Sequence, residues 1–531
     1  QAAGGHIATV RGDERALKQL FGVLLHNAWK FSRQRERVEV EVSDRRAVRP
    51  ASIAAIMPWA SSPPYSTPAA AAIVRTEAPA APRSASRCRT NAPKPPRASA
   101  APVCGDGCRV PAATTATCAG DRFATTPVAY DAVLLLGFGG PEGQDDVIPF
   151  LRNVTAGRGI PDERLEEVAH HYRHFGGVSP INDHNRELKA ALDAELATRG
   201  LDLPVYWGNR NWEPYFPDTL ERMHADGHRR ILTVTTSAYS CYSSCRQYRE
   251  DMGMAMEQTG LTGKVDLDKT RQYFNHPGFI EPFRDGLRAD LASLRAELGD
   301  DARIHVLFAT HSIPTSDAAA AGPRGLAADL RAQAGAEPGD EGADVYSAQH
   351  LDVAREILAG VPEAADVPWS LVYQSRSGPP SVPWLEPDIN DAMEHLAGEG
   401  AETDAQGRAV AGFVVVPLGF VSDHMEVVWD LDTEAKETAE GLGVGFRRSP
   451  TPGTDPRFVA GLVDIVEERL GRREGRAAAG CFPAWYDVCR PDCCAKVMRD
   501  GSTRPTTSAV DAAVRGLAEH EAGAAAPAEE A

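Results

Sequence analysis

The sequence predicts a doubly wound α/β fold built as two similar halves, and three observations carry that prediction. Short apolar runs typical of buried parallel strands recur over residues 129–470, with helical stretches between them. The segments directly after several of these runs are polar, glycine-rich and histidine-bearing. Open α/β sheets bind their ligands there, beyond the carboxyl ends of the strands. The region is also roughly 340 residues long, more than one such sheet needs.

Each element follows in order. Residues 16–32 read as an amphipathic helix and 38–42 alternate like a strand. The run Leu25-His26-Asn27-Ala28-Trp29-Lys30-Phe31-Ser32 resembles the asparagine-bearing helix of histidine-kinase ATP-binding domains. No glycine-rich lid follows it, and the chain begins with Gln1, so residues 1–48 are expected to be an orphan fragment or a mis-set start. Residues 49–128 are rich in Ala, Pro, Ser and Arg without a sustained period, the composition of a disordered linker. The core spans 129–472, with strands at 133–136, 205–207, 231–234, 304–308, 371–373 and 413–416. Helices are expected at 186–198, 279–297 and 352–358. A cysteine-rich segment, 473–500, and an Ala/Glu-rich tail, 501–531, close the chain.

Composition narrows the function. Hydrophobic residues make up 43%, enough for a sizeable core, and the formal net charge is -18 with no long Lys/Arg block. That acidity argues against nucleic acid or an anionic membrane surface as the main partner. No run of about 18 apolar residues is present, so no integral membrane contact is expected. No charged-then-apolar secretory pattern opens the chain, and a cytoplasmic monomer is expected.

Three strand-end segments stand out: Gly137-Phe138-Gly139-Gly140-Pro141, Thr310-His311-Ser312-Ile313-Pro314 and Pro417 through Glu426. With His174-Phe175-Gly176-Gly177-Val178-Ser179-Pro180-Ile181-Asn182, Gly208-Asn209-Arg210-Asn211-Trp212, Tyr242-Ser243-Ser244-Cys245, Gln374-Ser375-Arg376-Ser377-Gly378-Pro379, Trp384-Leu385-Glu386-Pro387 and Ser422-Asp423-His424-Met425-Glu426-Val427-Val428-Trp429, they resemble the ferrochelatase family in order and spacing. The resemblance implies two chelatase-type Rossmann-like halves facing a porphyrin cleft, and Fe²⁺ as a substrate inserted without a nucleotide.

Metallation must remove two pyrrole protons and admit a cation stripped of most of its water. A neutral imidazole suits proton acceptance or iron binding near neutral pH. A carboxylate supplies negative charge to a divalent metal. The resemblance maps the family's His and Glu onto His311 and Glu426, which follow different strands. Asp423 and His424 are expected to support Glu426 or cap its helix. Phe138 stands where some relatives carry a tyrosine, and a phenyl ring can only pack against the macrocycle. Tyr172, Ser179 and Tyr248 match porphyrin contacts, and Arg210 and Arg376 are candidates for propionates or for structural ion pairs. The pair Gly139-Gly140 lacks the GxGxxG of a dinucleotide site.

Ten cysteines are unevenly placed, and the last four, Cys481, Cys489, Cys493 and Cys494, are crowded together. In a large chain without secretory signals, such clustering points to metal. The resemblance extends to actinobacterial members with a carboxy-terminal [2Fe–2S] motif, which implies Cys245, Cys481, Cys489 and Cys494 as ligands, with Cys493 the rival of Cys494. Four sulfurs could also hold zinc, although paired CxxC knuckles are missing. Those relatives use coproporphyrin III, the substrate expected here. The alternatives are protoporphyrin IX, a cobalt or nickel chelatase, and a non-catalytic tetrapyrrole carrier.

Overall fold

The computed structural model describes residues 40–42, 51–53, 127–157, 159–323, 325–334, 340–378, 381–485, 487–489, 493–496 and 504. Two compact units divide the chain, Gln1–Pro95 and Pro96–Ala531. In the first, β1 (Val40–Val42) pairs antiparallel with β2 (Ala51–Ile53). Alternation predicts β1, but β2 falls in the stretch read as linker, so the ladder crosses the expected boundary at residue 48. The helix over 16–32 with Asn27, and Cys88, Cys104, Cys108 and Cys118, lie outside the described residues.

The second unit holds two four-stranded parallel sheets among its described residues. The first contains β3 (Ala132–Gly137), β4 (Val205–Asn209), β5 (Arg230–Thr235) and β6 (Asp266–Lys269) in the order β4-β3-β5-β6. The second contains β7 (Ile304–His311), β8 (Trp369–Gln374), β9 (Gly412–Val416) and β10 (Gly445–Arg448) in the order β10-β9-β7-β8. In each, the first strand lies between the second and third, and the fourth takes the edge. The two halves therefore repeat one topology.

The six apolar runs all become strands, and β3 and β9 are buried along their whole length. The two strands that no apolar run announces are β6, Asp-Leu-Asp-Lys, and β10, Gly-Phe-Arg-Arg. Each is an edge strand with one neighbour, so charged side chains are tolerated there. The expected helices appear as Ile181–Thr198, Pro277–Leu298 and Val345–Ala359. Asp344 caps the last, accepting from the Ser347 amide at 2.8 Å.

One apolar core runs through both halves. It joins Val133, Leu135, Leu232 and Val234 of the first sheet to Val306, Phe308, Val414 and Val416 of the second. Phe482, Trp485, Cys489, Cys493 and Cys494 belong to the same cluster, so the cysteine-rich segment is folded into the body. The helix Pro456–Leu470 ties the halves together electrostatically. Arg199 reaches its Asp464 at 2.6 Å and Glu467 at 2.8 Å. Arg271 grips Glu468 through two bonds of 2.8 and 3.1 Å and also donates to the Ala477 carbonyl at 2.8 Å. No helix among the described residues is long and apolar enough to cross a membrane.

The Arg271 and Glu468 side chains are 0% and 2% exposed. Removing one partner of such a pair strands the other charge in low dielectric. Arg271→Met should leave Glu468 with Arg476 at 3.4 Å, and should cost about 3 kcal/mol. The check is a lowered urea midpoint at unchanged m-value.

Candidate active site

The site forms where the carboxyl ends of strands from both halves approach one another. After β3 the chain turns through Gly139, whose φ of +83° and approach to Asn209 exclude a side chain. A Cβ on Gly140 would lie 2.7 Å from the Ser179 Cβ, so that glycine lets the two segments touch. Phe138 is thereby held out at 37% exposure, and Phe175 and Val178 are exposed apolar side chains of the same half. Edge-to-face rings back this surface: Phe138 on Phe150 at 6.4 Å, and Phe150 on Tyr172 at 5.8 Å.

His311 ends β7. Its Nδ1 is hydrogen-bonded to the Ser312 carbonyl, which can only accept, so Nδ1 carries the ring hydrogen. Nε2 faces Glu426, 3.6 Å from its Oε2. The side chains are 32% and 50% exposed, so the pair is open to an incoming molecule. Tyr346 steadies the backbone beneath, donating to the His311 carbonyl at 3.0 Å.

Glu426 lies in the first turn of the helix Met425–Trp429. His424 caps that helix, its Nδ1 accepting from the Glu426 amide at 3.2 Å. Asp423 bonds to Arg448 at 2.9 Å and to Thr451 at 3.0 Å. His424 thus caps the helix that carries Glu426, and Asp423 ties the preceding turn to Arg448 and Thr451. Met425 packs in the Phe150/Tyr172 cluster, which brings the Glu426 segment against the first half. Tyr172 reports the same closeness: burial first, then Glu426 and Asp430, push its phenol far above the ordinary range. Phe175 and His171 both lie on Trp429, the latter stacked at 4.1 Å.

Ser179 is buried beneath the turn, its amide donating to the Pro141 carbonyl at 2.9 Å. Tyr248 is buried in the core on the far face of the first sheet, under the Arg210 guanidinium at 4.5 Å. Arg210 is committed to Asp251 and lies over Phe138 at 5.7 Å. Its reading as a structural ion pair holds, whereas Arg376 is half-exposed and only loosely paired with Glu386 at 3.7 Å.

Asp430 escaped the sequence reading. It accepts from the Ser375 hydroxyl and, at 3.3 Å, from Gln374, whose amide also donates to the Glu426 carbonyl at 3.1 Å. Burial, then the Glu426 and other nearby carboxylates, outweigh the Ser375 bond and push its carboxyl up to about 8. Ser375 holds a φ of +61°, unusual for a side-chain-bearing residue.

The tail brings a second group together. Cys245, Cys489, Cys493 and Cys494 are buried and form no disulfide. Their side chains interact in sequence, Cys245 with Cys489, Cys489 with Cys493, and Cys493 with Cys494 at 3.8 Å. Cys481 stands apart from this run and is disulfide-bonded. The fourth sulfur brought together with Cys245, Cys489 and Cys494 is Cys493.

Asp430 gives a pH test. Folded, it keeps a proton that the unfolded chain releases, so its contribution to stability is lost as pH rises. The window runs from about 4, the unfolded value, to the folded value of about 8. Asp430→Asn should flatten the fall in urea midpoint across that window; parallel curves for the two proteins would remove the assignment.

A ferrochelatase family profile matches residues 130–470. A coproporphyrin III ferrochelatase of Leifsonia xyli is 56% identical over 393 residues, covering 72% of this chain and 96% of that one. A protein of the same name from Streptomyces coelicolor is 54% identical, covering 69% and 93%. One from Tropheryma whipplei is 48% identical, covering 74% and 95%. A match over the whole two-sheet body, joined to identities of this size along nearly full-length relatives, means that the chain belongs to the ferrochelatase family.

Proposed function

We propose that the protein inserts Fe²⁺ into coproporphyrin III, with His311 and Glu426 as the groups that meet the reacting centre. The observation that carries this reading is the facing of His311 and Glu426, 3.6 Å apart. The pair stands at the end of a strand, opposite an apolar aromatic surface. Fe²⁺ and the free porphyrin combine with release of two pyrrole protons. Nε2 accepts them one at a time and hands each to solvent through the exposed side of the pair, while Glu426 stabilises the imidazolium formed in between. The Glu426 carboxylate is also a hard oxygen donor for iron shedding water. Asp430, bonded through Gln374 to the Glu426 backbone, adds a carboxyl that exchanges protons near neutral pH.

The exposed Phe138, Phe175 and Val178 suit a flat macrocycle, and Tyr172 and Ser179 form the floor beneath them. Arg376 is the candidate for a propionate. The choice of coproporphyrin III rests on the names of the relatives. Offered both porphyrins anaerobically with Fe²⁺, the protein should metallate coproporphyrin III faster than protoporphyrin IX, seen as the Soret shift. His311→Ala should lower that rate by at least a hundredfold, within the usual range for a general base, and still bind porphyrin. Tight binding without turnover in the unaltered protein would instead favour a tetrapyrrole carrier.

We also infer that Cys245, Cys489, Cys493 and Cys494 hold a [2Fe–2S] centre. The donor chemistry supports it: four cysteine sulfurs are buried near one another and four thiolates are what such a centre takes, while among the described residues no such group is already gathered around one metal position. Cys494 is further fixed by the Gly322 amide, which donates to its sulfur at 3.1 Å. When bound, the centre supplies one-electron chemistry, and no metallation step passes through it. Cys489→Ser should bleach the visible absorbance and lower the melting temperature. A colourless protein carrying one zinc per chain would give the site to zinc.

A further inference from the structure

We propose that His350 is a positioning residue for metallation: it ties the strand end that carries His311 to the loop that leads to Glu426, and so sets the spacing of the two. The inference rests on reading His311 and Glu426 as the reacting pair.

His350 lies in the helix Val345–Ala359 and is completely buried, as is Thr310. Burial keeps the imidazole neutral, pushing it down to about 3. Its Nδ1 stands 2.7 Å from the Tyr346 carbonyl, which can only accept, so Nδ1 carries the one ring hydrogen. Nε2 is then an acceptor, and the Thr310 hydroxyl donates to it at 2.9 Å. Thr310 directly precedes His311 on β7. Its Oγ1 also lies 2.9 Å from the Tyr346 hydroxyl, which donates to the His311 carbonyl at 3.0 Å. Two adjoining residues of the strand end are thus held from one helix.

The same imidazole reaches the second arm through its ring face. Tyr239 stacks on it with centroids 3.6 Å apart and 13° between the planes. The Tyr239 hydroxyl donates to the Leu418 carbonyl at 3.0 Å, in the loop that runs from β9 to Glu426. That loop also rests on the end of β7. The Gly419 amide donates to the Ala309 carbonyl at 3.2 Å, and a Cβ on Gly419 would stand 2.2 Å from the Thr310 Oγ1. A buried imidazole costs free energy that an apolar ring of the same shape avoids. What its nitrogens add is direction, because they fix the rotation of Thr310 and its depth. A misplacement of about an ångström costs about a hundredfold in rate, so looseness in this support reaches the chemistry.

The test is steady-state metallation of coproporphyrin III by Fe²⁺ in the full-length chain, with porphyrin affinity measured separately by fluorescence quenching. His350→Phe keeps a ring against Tyr239 and removes both nitrogens. It should lower kcat about tenfold, the scale of a sub-ångström shift, with the porphyrin KM and affinity unchanged. His350→Gln, whose amide still reaches Thr310, should recover most of the rate. Thr310→Val should lose as much as His350→Phe, and the double variant no more than either. His305 is the control, a buried histidine of the same strand bonded to Ser370 at 3.0 Å. His305→Phe should lower the melting temperature without changing kcat. An unchanged kcat in folded His350→Phe, a loss confined to KM, losses that multiply in the double variant, or an equal fall in His305→Phe would each overturn the proposal. If His350→Phe does not fold, Thr310→Val decides, and the unaltered rate there overturns it. Full activity in His311→Ala fails earlier and removes the underlying reading. A dead His311→Ala beside an unimpaired His350→Phe removes this inference alone.

Discussion

The buried grip of Arg271 on Glu468, with Arg199 on Asp464 and Glu467, is the constraint on which the cleft depends. The arginines belong to the first half and the carboxylates to the helix Pro456–Leu470, which follows the second sheet. His311 and Glu426 stand on one side of the cleft, and Phe138 and Tyr172 on the other. Apolar burial alone leaves two such halves free to slide by fractions of an ångström. Planar guanidinium forks resist that sliding, because both bonds to one carboxylate must be kept in register. Arg469, on the same helix, extends the grip to Asp268 of β6 at 2.9 Å. The aperture between the halves is thus set by ion pairs far from the reacting atoms.

What the sequence made legible follows the period of burial. Strands buried on both faces must be continuously apolar, and the runs in β3, β4, β5, β7, β8 and β9 revealed them. The edge strands β6 and β10 escaped because an edge does not demand apolar side chains on both faces. His311 and Glu426 were found through motifs at strand ends, and the structure brings them within 3.6 Å. Asp430 was not found, since the side chains that hold it, Ser375 and Gln374, lie more than fifty positions away. No local pattern encodes that encounter. Cys493 was weighed against Cys494, whereas the two sulfurs lie 3.8 Å apart in one group and Cys481 stands outside it.

The two aromatic contacts taken from family positions show how a position and an environment differ. Tyr172 keeps its ring edge-to-face against Phe150, in the cluster that also takes in Met425 beside Glu426. Tyr248 lies among Leu134, Leu136 and Met252, with Arg210 between it and Phe138. Any influence it has on a bound macrocycle passes through Arg210, whose charge Asp251 already balances. The phenyl ring of Phe138 offers no metal donor on that approach, and the imidazole and carboxylate that face each other there are those of His311 and Glu426.

One helix touches both the cleft and the cysteine segment. Val345–Ala359 carries Tyr346, whose hydroxyl holds the His311 carbonyl, and Asp352, whose carboxylate accepts the Cys481 amide at 2.9 Å and the Phe482 amide at 3.4 Å. Gln349, between them, binds the Ser240 amide at 2.9 Å, next to the loop of Cys241 and Cys245. Burial pushes the Asp352 carboxyl up to about 6, against the pull of those two amides. Lifting the tail would remove the donors and leave a buried carboxylate with less to hold it charged. The helix would then lose its anchor two turns from Tyr346. The seating of the cysteine segment and the placement of His311 are therefore mechanically linked, although no reacting atom lies between them.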